Sequence, residues 1–98
     1  MRQDLDRAST LAVAGATKNS GQRCTAVKRI LAIESIADEL VEKIVQKASK
    51  LNCSDPSNPQ TDVGTVIDEA SAMLFERRVE DAVSKGAKKL YGKQREGA

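Results

Sequence analysis

The chain has 98 residues, of which 40% are apolar and only 2% aromatic, and it carries 16 Lys+Arg against 14 Asp+Glu. This length suits one small domain, or part of a larger one, with a modest core of aliphatic side chains. The formal net charge of +2 is spread along the chain, whereas a nucleic-acid or membrane surface usually needs a concentrated basic patch. We therefore expect neither nucleic acid nor a membrane as a partner.

The cysteine and histidine counts exclude several kinds of site. The chain has no histidine and two cysteines, Cys24 and Cys53, so it contains no Cys/His zinc site and no histidine-activated nucleophile of its own. Two distant cysteines do not make the disulfide framework of a secreted domain. The sequence also lacks an apolar run of membrane-spanning length and the apolar core of a signal peptide. We expect a cytoplasmic protein without a metal site.

The first third of the chain predicts a helix, a turn and a strand. Residues 4–16 are predicted to be helical, with Asp4 as the N-cap. Apolar or small side chains recur in it at helical spacing: Leu5, Ala8, Leu11 or Ala12, and Gly15. The turn chemistry that follows comes from Asn19 and Gly21, which tolerate a positive φ. Residues 25–33 are rich in branched side chains and are predicted to form a mostly buried strand.

The remaining residues predict two helices joined by a long loop. One helix begins at Ser35, where Asp38 completes a capping box. Its apolar stripe follows at steps of four: Ile36, Leu40, Ile44 and Ala48. Residues 52–65 contain both prolines and are predicted to form a loop. A further helix covers residues 68–84 and ends at Gly86.

The C-terminal end predicts a second, short strand over residues 87–92 and a polar tail over residues 93–98. The element order is therefore helix, strand, helix, loop, helix, strand. A connection between strands that runs through helices favours a parallel pair with a right-handed crossover. We expect an α/β fold with one parallel strand pair.

The stretch Asn-Ser-Gly-Gln-Arg-Cys-Thr-Ala, residues 19–26, allows two interpretations of Cys24. Free cysteines are often small buried residues, and the start of a buried strand is a typical place for one. Alternatively, a turn between a helix and a strand can present a thiol together with unpaired backbone N–H groups. The neighbouring Arg23 would favour the thiolate, and the N–H groups could stabilise an oxyanion.

The longer segment NSGQRCTAVKRIL resembles the active-site segment of the aldehyde dehydrogenase superfamily, whose hallmark is Gly-Gln-X-Cys. The resemblance continues in order along the chain, through residues 4–8, 34–44, 55–68 and 86–98. It implies that residues 1–98 are a partial catalytic domain of the aldehyde dehydrogenase type, with the cofactor-binding domain absent. The implied fold has the α/β order given above.

The resemblance also implies a reaction. The nucleophile of that family is the cysteine matched by Cys24, whose thiolate attacks an aldehyde to form a thiohemiacetal. Hydride then passes to NAD or NADP, and water hydrolyses the resulting thioester to the carboxylic acid. The family's glutamate base lies in a Glu-Leu-Gly-Gly motif that is not among these residues. We expect the chain by itself to bind no cofactor and to show no turnover.

Arg23 resembles the branch of the family that oxidises phosphorylated or phosphonylated aldehydes, since a guanidinium can bind such a group through two hydrogen bonds. The alternative is a solvated or ion-paired arginine. Thr25 would line the same substrate pocket. Ser54 stands where the family usually has glycine, which would strain its backbone if φ were positive there. Cys53, in a loop without an adjacent charged partner, is interpreted as incidental.

Two other functions remain open on the sequence. The chain could be a non-catalytic module that keeps part of the fold and binds a partner through exposed helix faces. It could also be a thiol-redox protein that uses Cys24, although no resolving cysteine lies nearby in the sequence. The wide apolar stripes of the two later helices favour self-association, so we expect a homo-oligomer.

Overall fold

Three α-helices make up most of the regular structure in the computed structural model, which describes residues 2–92 and Arg95. In chain order they are α1 (Arg2–Thr17), α2 (Glu34–Ala48) and α3 (Glu69–Ser84). A short turn at Lys18–Gly21 directly follows α1. Among the described residues, each helix is too short or too polar to traverse a lipid bilayer.

The chain divides into two compact units. The first, Met1–Gly64, contains α1, α2 and the connection between them, and the second, Thr65–Ala98, contains α3. The thiol of Cys24 belongs to the first unit, so the packing of that unit is what positions the candidate site.

The first unit is built on the packing of α1 against α2. Its buried aliphatic side chains are Leu5 and Val13 of α1 and Leu40 of α2. Ser9 lies four residues from both Leu5 and Val13, on the same face of α1, and is completely buried. Its hydroxyl donates to the backbone oxygen of Asp6 at 2.9 Å, so its burial leaves no polar atom unpaired.

Charge pairing links the same two helices at the surface. The Nζ atoms of Lys43 and Lys47 lie 3.4 and 3.3 Å from Asp6 Oδ1. The hydrogen bond from Lys47 and the charge of Lys43 hold the pKa of the Asp6 carboxyl below its usual value of 3.8. Asp6 thus connects α1 to α2 through both lysines.

The loop after α2 is ordered by its own polar side chains. The Asp55 carboxylate accepts hydrogen bonds from the N–H and hydroxyl of Ser57, at 2.9 and 2.8 Å. The backbone N–H of Ser57 is the main cause that lowers the pKa of Asp55. Asp62 accepts from the N–H of Asn52 at 2.8 Å, and the hydroxyl of Thr61 donates to the carbonyl of Asp55 at 2.7 Å. The predicted long loop is confirmed, and it holds itself in one conformation.

In the second unit, α3 begins and ends where the sequence predicts. Asp68 is the N-cap, and its carboxylate accepts from the N–H of Ser71 at 2.7 Å, which lowers the pKa of Asp68. At the other end Gly86 has φ +105°, its N–H donates to Val83, and the N–H of Ala87 donates to Ala82. This is the Schellman arrangement that a glycine after a helix permits.

The predicted tail of residues 93–98 lies outside the described residues, with the exception of Arg95. Arg95 Nε donates to Glu76 Oε2, and its guanidinium also lies 3.7 Å from Glu69 Oε1. The hydrogen bond to Glu76 is the largest cause that raises the pKa of Arg95. These ion pairs connect the end of the chain to α3.

The other helix ends differ from the predictions. Asp4 lies inside the first turn of α1 and is not its N-cap, because the helix already begins at Arg2. Ser35 likewise lies inside α2, which begins at Glu34 after Ile33, and no side chain caps that end. Both helices extend N-terminally beyond the polar residue that the sequence favours as a cap, so local capping chemistry did not decide their starts.

The apolar faces agree with the sequence only in part. In α2, Leu40 is buried and Ile44 and Ala48 are partly buried, as predicted. In α1, the predicted Ala8 and Leu11 are exposed, whereas Leu5 is buried and Gly15 and the alternative Ala12 are partly buried. The buried face of α1 runs through Leu5, Ser9 and Val13, and of these three residues the sequence prediction included only Leu5.

The predicted strand pair is not confirmed. The only β pairing among residues 2–92 and 95 is an isolated parallel bridge between Cys53 and Val63. Residues 26–33 have no regular structure, and the side chains of Leu31 and Ile33 are 97% and 73% exposed. A strand gains its hydrogen bonds from a neighbouring strand, and the described part of the chain offers none to this segment.

The ion pairs of Asp6 predict an acid-sensitive contribution to stability. Because the pKa of Asp6 is lowered on folding, the contribution is fully present above the unfolded value near 3.8 and is lost as the pH falls through the lower folded value. We expect Asp6→Asn to be less stable than the wild type at pH 7 and to lose less stability below about pH 4. Urea unfolding followed by far-ultraviolet circular dichroism at several pH values measures both effects.

Asp4→Asn is the matched control, since it makes the same substitution on α1 at a carboxylate without an ion-pair partner among the described residues. Equal pH dependence in the two variants would contradict a role for the Asp6 pairs.

Candidate active site

The connection between α1 and α2 starts with an unusual backbone turn. Asn19, Ser20 and Gly21 have φ values of +57°, +56° and +75° in succession. Only glycine adopts such values without steric cost, and asparagine tolerates them better than most residues. At Gly21 space is also limited, because a Cβ there would lie 3.1 Å from the carbonyl oxygen of Ala16. The sequence prediction that Asn19 and Gly21 can adopt a positive φ is confirmed. Ser20, which was not predicted to do so, also has a positive φ.

A second turn follows and carries the candidate nucleophile. The carbonyl of Arg23 accepts a hydrogen bond from the N–H of Ala26 at 3.1 Å, so Cys24 and Thr25 are the two central residues of the turn. Arg23, Cys24 and Thr25 are all exposed, and the thiol of Cys24 is free. The interpretation of Cys24 as a buried core residue is therefore wrong.

The turn leaves donors available beside the thiol. In the part of the chain that the structure describes, the backbone N–H groups of Cys24 and Thr25 donate to no protein acceptor. The Arg23 guanidinium has no carboxylate within ion-pairing distance among those same residues. A nucleophile, a cationic side chain and two N–H donors are thus neighbours on one exposed turn, which is a combination suited to attack on an electrophile next to an anionic group.

A contact at the base of the loop joins its two ends. The N–H of Val27 donates to the carbonyl of Gly15, in the last turn of α1, at 3.1 Å. A Cβ at Gly15 would lie only 2.8 Å from Val27 Cγ2. Sequence reasoning recognised small residues at the end of α1 but missed this pairing. The only sequence signal was a glycine in a helix without a local turn to explain it.

Cys53 lies in a different setting. It is exposed and free, and its backbone forms the isolated bridge with Val63 in the loop after α2. The N–H of the next residue, Ser54, donates to the carbonyl of Val63 at 3.0 Å. Ser54 does not have a positive φ, so the expected backbone strain is absent there. Cys24 and Cys53 are not joined by a disulfide, so the reactivity of each thiol can be measured separately.

The residues that the structure describes present neither a cluster of metal-ligating side chains nor a glycine-rich dinucleotide unit. Within residues 2–92 and 95, no three His, Cys, Asp or Glu side chains are grouped as metal ligands would be. The same residues contain no strand followed by a glycine-rich turn and a helix, which is the unit that holds a dinucleotide pyrophosphate. The chemistry offered by this chain is that of a thiol, a guanidinium and backbone donors.

Comparison with known proteins gives consistent similarities. The model of the "Aldehyde dehydrogenase family" matches residues 2–98. An NADP-dependent glyceraldehyde-3-phosphate dehydrogenase of Streptococcus equinus is 46% identical over 94 residues, which are 96% of this chain and 20% of that protein. A succinate-semialdehyde dehydrogenase [NADP(+)] of Mycobacterium ulcerans is 43% identical over 84 residues, 86% of this chain and 18% of that protein.

A solved structure agrees with these sequence relatives. The NADP-dependent glyceraldehyde-3-phosphate dehydrogenase of Bacillus halodurans C-125, solved in complex with NADP, superposes with a TM-score of 0.91 and 39% identity. The match covers 96% of this chain and 20% of that structure. The chain therefore spans about a fifth of the length of these relatives.

The exposed turn predicts that Cys24 is the more reactive of the two thiols. Its neighbours include the Arg23 guanidinium and unpaired N–H groups, whereas the backbone around Cys53 is engaged in the loop after α2. Labelling with limiting iodoacetamide, read peptide by peptide by mass spectrometry, compares the two rates under native conditions. Labelling in urea gives the reference ratio. Faster native labelling of Cys53 would contradict the prediction.

Proposed function

Because this chain belongs to the aldehyde dehydrogenase family, we propose that it is the part of an NADP-dependent aldehyde dehydrogenase that supplies the catalytic cysteine. The observation that carries the proposal is the exposed turn of residues 23–26, with the free thiol of Cys24 at its centre. In this proposal residues 1–98 are a portion of the catalytic domain, and the complete enzyme oxidises an aldehyde to a carboxylic acid in the cytoplasm.

The step assigned to this chain is the attack on the aldehyde. The Cys24 thiolate forms a bond to the carbonyl carbon, and the carbonyl π electrons move to the oxygen, which gives a thiohemiacetal after protonation. The N–H of Cys24 is a suitable donor to the developing oxyanion, since it donates to no other acceptor among the described residues. The chain contains no histidine that could deprotonate the thiol or activate water. We propose that the base for hydrolysis is the family's glutamate, which lies in a motif outside these residues.

The cofactor belongs to other parts of the complete protein. The relatives named above are NADP-dependent, and one was solved in complex with NADP. We propose NADP, rather than NAD, for the complete enzyme on that basis. Because the described residues include no glycine-rich dinucleotide unit, we assign to this chain only the steps up to the thiohemiacetal.

The proposed substrate carries a phosphate or a similar anionic group. Two observations support this: the glyceraldehyde-3-phosphate dehydrogenases among the relatives, and the exposed Arg23 next to Cys24. A guanidinium can donate two parallel hydrogen bonds to a phosphate, which would orient the aldehyde carbon toward the thiol. Thr25, the next residue of the turn, would contribute its hydroxyl to the same pocket.

The exposed apolar segment before α2 fits a part of a larger domain. Ile30, Leu31 and Ile33 are 46%, 97% and 73% exposed. We propose that residues 25–33, and the second predicted strand at residues 87–92, become strands of a sheet when the rest of the domain is present. In the chain by itself, such surfaces favour self-association, and the complete enzyme is proposed to be a homo-oligomer.

Substitution of Arg23 tests the substrate proposal in the complete protein. We expect Arg23→Leu to reduce kcat/KM for glyceraldehyde 3-phosphate by an amount equivalent to about 2–4 kcal/mol, because a two-hydrogen-bond contact to a charged group is lost. Simple aliphatic aldehydes, which lack that group, should lose much less. Arg29→Leu, which removes an exposed arginine outside the turn, is the matched control. Equal losses for both kinds of aldehyde would indicate a structural role for Arg23.

The chain by itself is expected to show no sustained dehydrogenase turnover. Its described residues contain no glycine-rich dinucleotide unit, and the Glu-Leu-Gly-Gly motif that carries the family's base is not in its sequence, so we expect neither hydride removal nor hydrolysis to follow the attack. The measurement is NADPH and NADH formation with a panel of aldehydes, for the wild type and for Cys24→Ser and Cys53→Ser.

Turnover that persists above the Cys24→Ser variant would overturn the assignment of the chain as a portion of an enzyme. Sedimentation velocity on the same sample tests the proposed self-association, which a stable monomer would contradict.

A further inference from the structure

The loop that carries Cys24 is closed at its base by one close contact between Gly15 and Val27. The carbonyl of Gly15 accepts the N–H of Val27 at 3.1 Å. The backbone there is close enough to Val27 that a Cβ at Gly15 would lie 2.8 Å from Cγ2 and 3.7 Å from Cβ of that valine. We call this pair of residues the loop clasp.

Glycine is required in the clasp for space. Gly15 has an ordinary negative-φ helical backbone, in contrast to Gly21, which has φ +75°. Real Cβ atoms do not approach another carbon to 2.8 Å, so alanine at this position would force Val27 to move. Valine is branched at Cβ and has few alternative rotamers, which limits how far its side chain can give way. Movement of the Val27 backbone would lengthen the hydrogen bond to Gly15.

Between the two ends of the clasp, the backbone is held by two reverse turns. The N–H of Gln22 donates to the carbonyl of Asn19, and the N–H of Ala26 donates to the carbonyl of Arg23, both at 3.1 Å. Cys24 follows the first turn and lies at the centre of the second. Each turn is held by one such bond, and the clasp fixes both ends of the segment to the end of α1. The direction of the Cys24 side chain therefore depends on the clasp.

We propose that Gly15 and Val27 are positioning residues for the Cys24 thiol. The clasp holds the turn of residues 23–26 in the conformation that presents the sulfur together with the unpaired N–H groups and Arg23. This inference rests on the proposed function for its catalytic meaning, since positioning matters for the attack on an aldehyde. The effect on the thiol itself can be measured without turnover.

A general role of Gly15 in stability is the competing explanation. In that case, any change in Cys24 labelling in Gly15→Ala would result from global unfolding. Removal of the Val27 methyl groups would then lower the stability further. A positioning role predicts a different result. Val27→Ala should relieve the crowding at an alanine in position 15 and so restore the position of the turn. The double variant therefore separates the two explanations.

The experiment uses the 98-residue chain and its second thiol as an internal reference. Native iodoacetamide labelling gives the ratio of Cys24 to Cys53 rates for the wild type, Gly15→Ala, Val27→Ala and Gly15→Ala/Val27→Ala. Labelling in urea gives the ratio without any folded structure. Far-ultraviolet circular dichroism checks that the helices remain. Gly86→Ala is the matched control, since it strains a glycine with φ +105° in the second unit and meets no atom within 4 Å.

We expect Gly15→Ala to lose the Cys24 preference and to move toward the ratio found in urea, with an unchanged Cys53 rate and retained helicity. The double variant should recover the wild-type ratio, and Gly86→Ala should keep it. If Gly15→Ala fails to fold, Val27→Gly loosens the clasp from the other side without crowding α1, and the same loss of preference is expected. A wild-type ratio in folded Gly15→Ala or in folded Val27→Gly, or a double variant no better than Gly15→Ala, would overturn the inference.

A separate arm tests the proposed function. Glyceraldehyde 3-phosphate should protect Cys24, and not Cys53, from iodoacetamide in the wild-type chain. If the labelling ratio follows the clasp variants but the aldehyde gives no protection, the positioning inference stands and the proposed nucleophile fails.

Discussion

The contact between α1 and α2 is the interaction on which the first unit depends. On the buried face of α1, Ser9 is small and fully buried, and its hydroxyl donates to the carbonyl of Asp6 in its own helix. A larger side chain there would separate the helices, and an unpaired polar one would carry a desolvation cost. The ion pairs from Asp6 to Lys43 and Lys47 join the same helices at the surface, where solvent screens them. Burial of the apolar side chains of Leu5, Val13 and Leu40 stabilises the helix pair through the hydrophobic effect.

This packing matters for the candidate site because the Cys24 loop runs from the end of α1 to the start of α2. A helix pair held in one arrangement gives the loop two fixed ends. Within the loop, the order comes from the main chain: three successive positive φ values, two reverse turns and the hydrogen bond between Gly15 and Val27. Side chains in the turn of residues 23–26 are left exposed as a result. In our proposal, this backbone geometry presents the Cys24 thiol and leaves the neighbouring side chains available for a substrate.

The family relationship explains why an exposed cysteine and an exposed apolar segment occur in the same small unit. The chain covers 20% of the NADP-dependent glyceraldehyde-3-phosphate dehydrogenase of Streptococcus equinus and superposes on a fifth of the crystal structure from Bacillus halodurans C-125. A portion of that size contributes one wall of a larger domain in our proposal, and its nucleophile faces the groups that the rest of the protein provides. In the same proposal, the exposed side chains of Leu31 and Ile33 would be covered by other segments of that domain. In this proposal, catalysis by the Cys24 thiol also requires a base and a cofactor site from other segments of the complete protein.

The amino-acid sequence by itself determined the features that depend on neighbours in the chain. The three helices, the glycine stop at Gly86 and the loop with two prolines were all predicted from residues that are near one another in the chain. The segment around Cys24 was also recognisable, since its motif is contiguous. Only the tertiary structure decided that Ser9 belongs to the core, that Cys24 is exposed and that Gly15 meets Val27. Burial and close contacts between side chains depend on which surfaces meet in the folded chain. A strand at residues 25–33 would need a partner strand that is distant in sequence. Hydrophobic periodicity and capping patterns describe only neighbouring residues, so they do not predict these features directly.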